Sequence, residues 1–216
     1  MMTINDFDIV VSTVPESDRM DRLFRYFHAA GICRFMLDYE PKFTGTPPIE
    51  FYMPGGYGCS QHFCKIQAKM LHRDILYFED DAKIEPDFCE MLNRHIAELP
   101  DDWRIFAPGY IWVKQFAEKT EGANWVSPLI RRNARKLCGT QCLLLRAGEW
   151  RKELTDNMLE HWFYGYDRSG GKAQGFDKQL AGWCRATGNP FYFAAQSFVV
   201  QEASVSLISG HYRKQR

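Results

Sequence analysis

The stretch DILYFEDDAKIEPDF, Asp74 to Phe88, decides how the rest of the chain is read. Four apolar or aromatic residues, Ile75 to Phe78, run directly into three carboxylates, Glu79, Asp80 and Asp81. A continuous apolar run of that length suits a strand buried on both faces. Pro86 then suits the first turn of a helix. Three like charges at the end of a buried strand repel one another. Either the cluster faces water, or a positive partner meets it.

The flanking sequence repeats the same alternation. FDIVVST (7–13) is β-branched and apolar, a second buried strand. After the turn STVPESDR, residues Met20, Leu23, Phe24, Phe27 and Ala30 fall at helical spacing, and Gly31 closes that helix. ICRFMLDY (32–39) predicts a strand, the Pro- and Gly-rich segment 41–58 a long loop, and 60–71 a helix. A helix to about Leu99 and the strand WRIFAPG (103–109) follow. Strand and helix alternating over about 110 residues imply an α/β fold with a mostly parallel central sheet flanked by helices. In such sheets ligands bind beyond the carboxyl ends of the strands, where the acidic cluster lies. The second half is mixed: a strand at QCLLLR (141–146), helical spacing from Leu154 to Trp162 and from Phe176 to Ala186, then short strands and a polar tail. With no repeat or long linker, 1–216 is expected to be one domain, with a regular half over 7–110, a mixed half over 111–208 and a polar tail at 209–216.

The chain has 216 residues, 45% hydrophobic and 15% aromatic, enough for a substantial core. Lys plus Arg (27) balances Asp plus Glu (27), so no global field draws it to nucleic acid or anionic membrane. Local basic clusters, Arg131 to Lys136 and Arg213 to Arg216, suit a solvated surface or phosphate contacts. Seven cysteines, no CxxC pair, no basic amino-terminal leader and no long apolar run together predict free thiols in the cytoplasm and no transmembrane segment. Cys59, His62 and Cys64 do not share one helical face, so structural zinc is not expected.

Paired carboxylates at a strand end make half of a site for a hard divalent cation, Mg²⁺ or Mn²⁺, with room left for phosphate oxygens. By strand alternation Glu79 and Asp81 point one way and Asp80 the other. An acidic turn favouring the next helix N-terminus is the competing reading.

Several stretches, taken in order, resemble glycosyltransferase family 25, the lipooligosaccharide and collagen galactosyltransferase group. They are FDIVVSTVPESDRMDRL, GYGCSQHFCKI, ILYFEDDAKI, LPDDWRIFAPG, CGTQCLLLRAGEWRKEL, GFDKQL and AAQSFVVQEASVS, spanning about residues 7 to 208. The resemblance implies a GT-A-like, Rossmann-like fold and a metal-dependent, inverting transfer of a hexose from a UDP-sugar to an acceptor hydroxyl. The acceptor it implies is a saccharide; a protein or a modified DNA base is the less expected alternative. A nucleotidyltransferase and a non-catalytic nucleotide-sugar-binding module are the competing classes.

The resemblance places the donor against Thr13, Val14, Pro15 and Arg19, with Asp80 on the ribose or sugar and His62 near donor phosphate. Glu79 and Asp81 are the metal-side pair, with His211 or Gln201 as a late third ligand. Transfer to a hydroxyl needs a base; Asp177 in GFDKQL is the first candidate and Asp167 the second. For Asp177 the competing reading is a helix N-cap. For His62 it is a packing or capping residue, and for Arg19 a surface pair with Glu16 or Asp18. Trp112, Trp125, Trp162 and Trp183 suit either a sugar-stacking platform or the core.

Overall fold

The structure is a computed structural model that describes residues 2–15, 17–41, 44–45, 56–114, 125–132, 136–160, 175–202, 204–205 and 212–213. In chain order the elements are β1 (Asp8–Thr13), α1 (Met20–Ala29), β2 (Met36–Tyr39), α2 (Gly56–Lys69), β3 (Ile75–Glu79), β4 (Ala82–Lys83) and α3 (Phe88–Ile96). Then come β5 (Ile105–Gly109), β6 (Trp112–Lys114), β7 (Ile130–Arg132), β8 (Lys136–Cys138), β9 (Cys142–Leu145), α4 (Trp150–Glu160), α5 (Phe176–Thr187), β10 (Phe191–Ala194) and β11 (Val200–Gln201).

Seven strands form the central sheet in the order β2-β1-β3-β9-β5-β10-β7. β1 pairs parallel with β2 and β3, and β5 parallel with β10. β9 runs antiparallel to both β3 and β5, and β7 antiparallel to β10. Five of the seven strands therefore share one direction, and the fold is a mixed α/β sheet, mostly parallel, flanked by helices. The reversal of β9 was not foreseen, because an apolar run such as CLLL carries no information about direction.

Side chains alternate across the sheet and build two cores. Leu76 and Phe78 of β3 pack with Val11, with Leu23 and Phe27 of α1, and with Phe88 and Leu92 of α3. Ile75 and Tyr77 face the other way, with Phe63 and Ile66 of α2, Leu154 of α4, and Phe176, Leu180 and Trp183 of α5. Each fully buried Phe or Leu contributes about 1.5–3 kcal/mol through loss of apolar surface to water. Helix α2 starts earlier than its predicted Ser60, and α3 spans only Phe88–Ile96. Among the described residues no helix is long and apolar enough to cross a membrane, and the described cysteines Cys33, Cys59, Cys64, Cys89, Cys142 and Cys184 are free.

Candidate active site

The register of the sheet brings the acidic cluster to the end of β1. Ser12 of β1 lies opposite Glu79 of β3, so Thr13, Val14 and Pro15 emerge beside Asp80 and Asp81. Thr13 Oγ1 donates to Asp80 Oδ2 at 2.8 Å. The Arg19 guanidinium donates to the other oxygen, Asp80 Oδ1, at 3.0 Å, and lies 3.5 Å from Asp81 Oδ2. Arg19 is 4% exposed, Asp80 8% and Asp81 6%, so this is a buried ion cluster, not a surface pair.

Arg19 is thus a positive partner for the acids, 61 residues away in sequence. It sits at the N-terminus of α1, where the helix dipole disfavours a cation. The carboxylates opposite it supply the compensating attraction. Strand alternation fails here for a simple reason. β3 ends at Glu79, the chain turns at Asp80 and Asp81, and both side chains reach the same guanidinium.

The late part of the chain closes over this turn. β11 pairs antiparallel with β4, and Gln201 Nε2 donates to Asp81 Oδ2 at 2.7 Å. The Glu202 N–H donates to the Asp81 carbonyl at 2.8 Å, and Tyr26 and Arg22 of α1 both reach the Glu202 carboxylate. Gln201, a late candidate in the sequence, does arrive at the acids.

On the opposite face of β3, Glu79 follows Tyr77 toward α2 and α5. The Phe63 and Phe176 rings stack at 4.4 Å, and both meet Tyr77 edge-on. This aromatic cluster sets the start of α5 against the sheet, and Asp177 is the residue after Phe176. Gly175 is the N-cap of α5, so Asp177 lies inside the first turn. Its Oδ2 accepts the Gly139 N–H at 2.7 Å and its Oδ1 the Lys178 N–H at 2.8 Å. The carboxylate is thereby fixed between the helix and the turn that leads into β9. Burial pushes the Cys59 thiol of α2 well up, and the charges of Glu79, Asp177, Asp81 and Asp80 add to the rise. The 139–141 segment links the two acids, meeting Glu79 through the Gln141 carbonyl and Asp177 through the Gly139 N–H.

His62 bridges three elements. Its Nδ1 lies 2.9 Å from Ser12 Oγ on β1 and its Nε2 2.9 Å from Asp38 Oδ1 on β2. Lys69 also donates to Asp38, at 2.7 Å. Burial alone would raise the Asp38 carboxyl, but the hydrogen bonds from Lys69 and His62 outweigh it and hold the group below its ordinary value. His62 joins the ends of β1 and β2 to α2, with both ring nitrogens engaged inside the protein. Asp167, His211, Trp162 and Glu16 lie outside the described residues. Trp183 is core, whereas Trp125 is 46% exposed with the Arg131 guanidinium 3.6 Å from its ring centre.

A divalent ion is tested by the donors present. The acids are hard oxygen donors, as Mg²⁺ and Mn²⁺ prefer. Both Asp80 oxygens are held by Thr13 and Arg19, and Asp81 Oδ2 accepts from Gln201 with Arg19 3.5 Å away; Glu79 and Asp81 remain the expected metal-side pair. Among the described residues no group of three or more His, Cys, Asp and Glu gathers for a metal. Two carboxylates plus phosphate oxygens of a bound diphosphate are a donor set that Mg²⁺ accepts. Gly139, Thr140 and Gln141 enter the sequence reading only within the stretch CGTQCLLLRAGEWRKEL, with no site role assigned to them. The available signal was polar residues at the entry of an apolar strand, GTQCLLL.

No family model matches this chain, and no curated protein matches it. Solved structures with a similar course of chain include one described as a glycosyltransferase involved in the glycosylation of the major capsid of PBCV-1. It is 9% identical, with 87% of this chain and 92% of that one covered and a TM-score of 0.40. Another is an inositol-1-phosphate CTP transferase from T. maritima, 12% identical, covering 88% of this chain and 70% of that one, with a TM-score of 0.37. Likenesses this distant say nothing about the chemistry.

Proposed function

We propose that this chain is a metal-dependent glycosyltransferase that moves a hexose from a UDP-sugar to an acceptor hydroxyl of a saccharide, with inversion. The observation that carries it is the meeting, at the carboxyl edge of the sheet, of the β1 end, the Glu79–Asp81 turn and the first turn of α5. The family 25 resemblance supports the donor and the inversion. Thr13, Val14 and Pro15 line the donor's base and ribose. Arg19 keeps Asp80 and Asp81 in place through its buried ion pairs. Glu79 and Asp81 would hold Mn²⁺ or Mg²⁺, which would supply positive charge to a leaving diphosphate. Asp177, fixed by two N–H donors, takes the proton of the acceptor hydroxyl as that oxygen bonds to the anomeric carbon and the diphosphate departs.

The test is release of nucleoside diphosphate from a panel of nucleotide sugars with Mn²⁺, with and without EDTA. A saccharide, a DNA fragment carrying modified bases and a protein serve as acceptors. One responsive donor, silenced by EDTA, is the expected result. Pyrophosphate release would instead assign a nucleotidyltransferase, and silence across all donors would leave only binding.

A further inference from the structure

We propose that Gln141, together with Thr140, forms a subsite that reads a hydroxyl of a hexose ring held between Glu79 and Asp177. The inference rests on the glycosyltransferase reading above.

Gln141 is completely buried and Thr140 is 1% exposed. Among the described residues neither the Oε1 nor the Nε2 of Gln141 has a hydrogen-bond partner, and neither does the Thr140 hydroxyl. A buried amide left without partners costs free energy that an apolar side chain of the same shape would not, so its presence calls for a reason. Its place in the sheet supplies one. The Glu79 N–H donates to the Gln141 carbonyl at 3.0 Å, which makes the two residues a directly opposed pair across β3 and β9. Opposed residues of antiparallel strands put their side chains on the same face. The Gln141 amide therefore stands beside Glu79, on the side of α2 and α5.

Gly139 gives a second, independent bearing. Its φ is +69°, and a Cβ built there would fall 2.8 Å from Gln141 Nε2 and 2.5 Å from Ile111 Cγ1. The amide thus occupies the space that a side chain at 139 would fill. The same Gly139 donates its N–H to Asp177. The unpartnered amide is packed against the turn that fixes the candidate base.

The chemistry fits a sugar hydroxyl. An amide offers N–H donors and a carbonyl acceptor, and a hydroxyl both accepts and donates. A buried site built to hydrogen-bond a hydroxyl discriminates strongly against ligands that lack it. Gln67 of α2 is also fully buried, with neither amide atom partnered among the described residues. It belongs to the body of α2, with no described contact to the carboxylates, and serves as the control.

The experiment compares wild type, Gln141→Met, Thr140→Val and Gln67→Leu. Calorimetry with Mn²⁺ gives Kd for UDP, UDP-glucose and UDP-galactose; thermal melting and acceptor KM are measured alongside. Gln141→Met is expected to melt higher than wild type, to bind UDP as wild type does, and to lose about tenfold in one sugar-dependent quantity. A loss in UDP-hexose affinity assigns the hydroxyl to the donor; a rise in acceptor KM with unchanged donor Kd assigns it to the acceptor. Thr140→Val shows the same pattern more weakly and stands in if Gln141→Met does not fold. Gln67→Leu melts higher with every constant unchanged. The subsite is overturned if Gln141→Met and Thr140→Val match wild type in all sugar-dependent constants. If wild type binds neither UDP nor a UDP-hexose, the nucleotide-sugar reading itself has failed and the subsite falls with it.

Discussion

The two sides of the β3 terminus are built on opposite terms. Toward α1, both Asp80 oxygens hold hydrogen bonds, from Thr13 and Arg19, and Asp81 accepts from Gln201. Toward α2 and α5, the Gln141 amide is buried beside Glu79 without a partner among the described residues. One side spends its polar groups on holding the fold. The other bears an unsatisfied desolvation cost of the kind that a bound ligand relieves. Apart from Asp81, the proposed metal ligand, mutations on the first side should therefore appear chiefly in unfolding, and those on the second in turnover.

The largest expected effect is Arg19→Met. Breaking a buried ion pair leaves carboxylates uncompensated and costs about 3–5 kcal/mol. Urea unfolding measures this; an unchanged midpoint would mean that the cluster does not hold the fold. Next is Asp177→Asn, which keeps the side-chain shape and removes the proposed base. We expect sugar transfer to fall by about 100-fold or more, with the melting temperature little changed. A large stability loss with full turnover would reverse the contrast between the two sides. Thr13→Val comes third. It removes one donor from buried Asp80 and should destabilise by about 1–3 kcal/mol, again seen in urea.

The smallest effect concerns acid. The folded Asp38 carboxyl sits below its ordinary value, so the unfolded chain binds its proton more readily. The stability it supplies is present above the unfolded carboxylate range, about pH 4, and is lost as pH falls through the folded value. Asp38→Asn should flatten the acid limb of unfolding free energy against pH. An identical limb in both proteins would refute the assignment.

Much of the fold was legible because its signals are local. DILYF and FDIVVST are apolar runs of strand length, and both became central strands. The position of the acids at the sheet edge followed from the same runs. What escaped was set by distant contacts. Nothing near Arg19 in sequence says that it will be buried against Asp80, since Glu16 and Asp18 are closer along the chain. The placing of Asp177 was half visible. Its helix start was evident, but its bond to Gly139 depends on how α5 packs through Phe176. Gln141 gave only a faint signal, because a polar residue before a strand is ordinary until its burial is known.

The reversed strand β9 has a consequence for synthesis on the ribosome. It fills the slot between β3 and β5, yet it is made after both. Until residues 142–145 emerge, the nascent chain carries two facing strand edges with nothing between them, a template for wrong pairing with other chains. A fragment stopped at residue 110 should therefore precipitate instead of yielding a stable half-sheet, and translation must proceed well past the acidic turn before that turn can be locked in place.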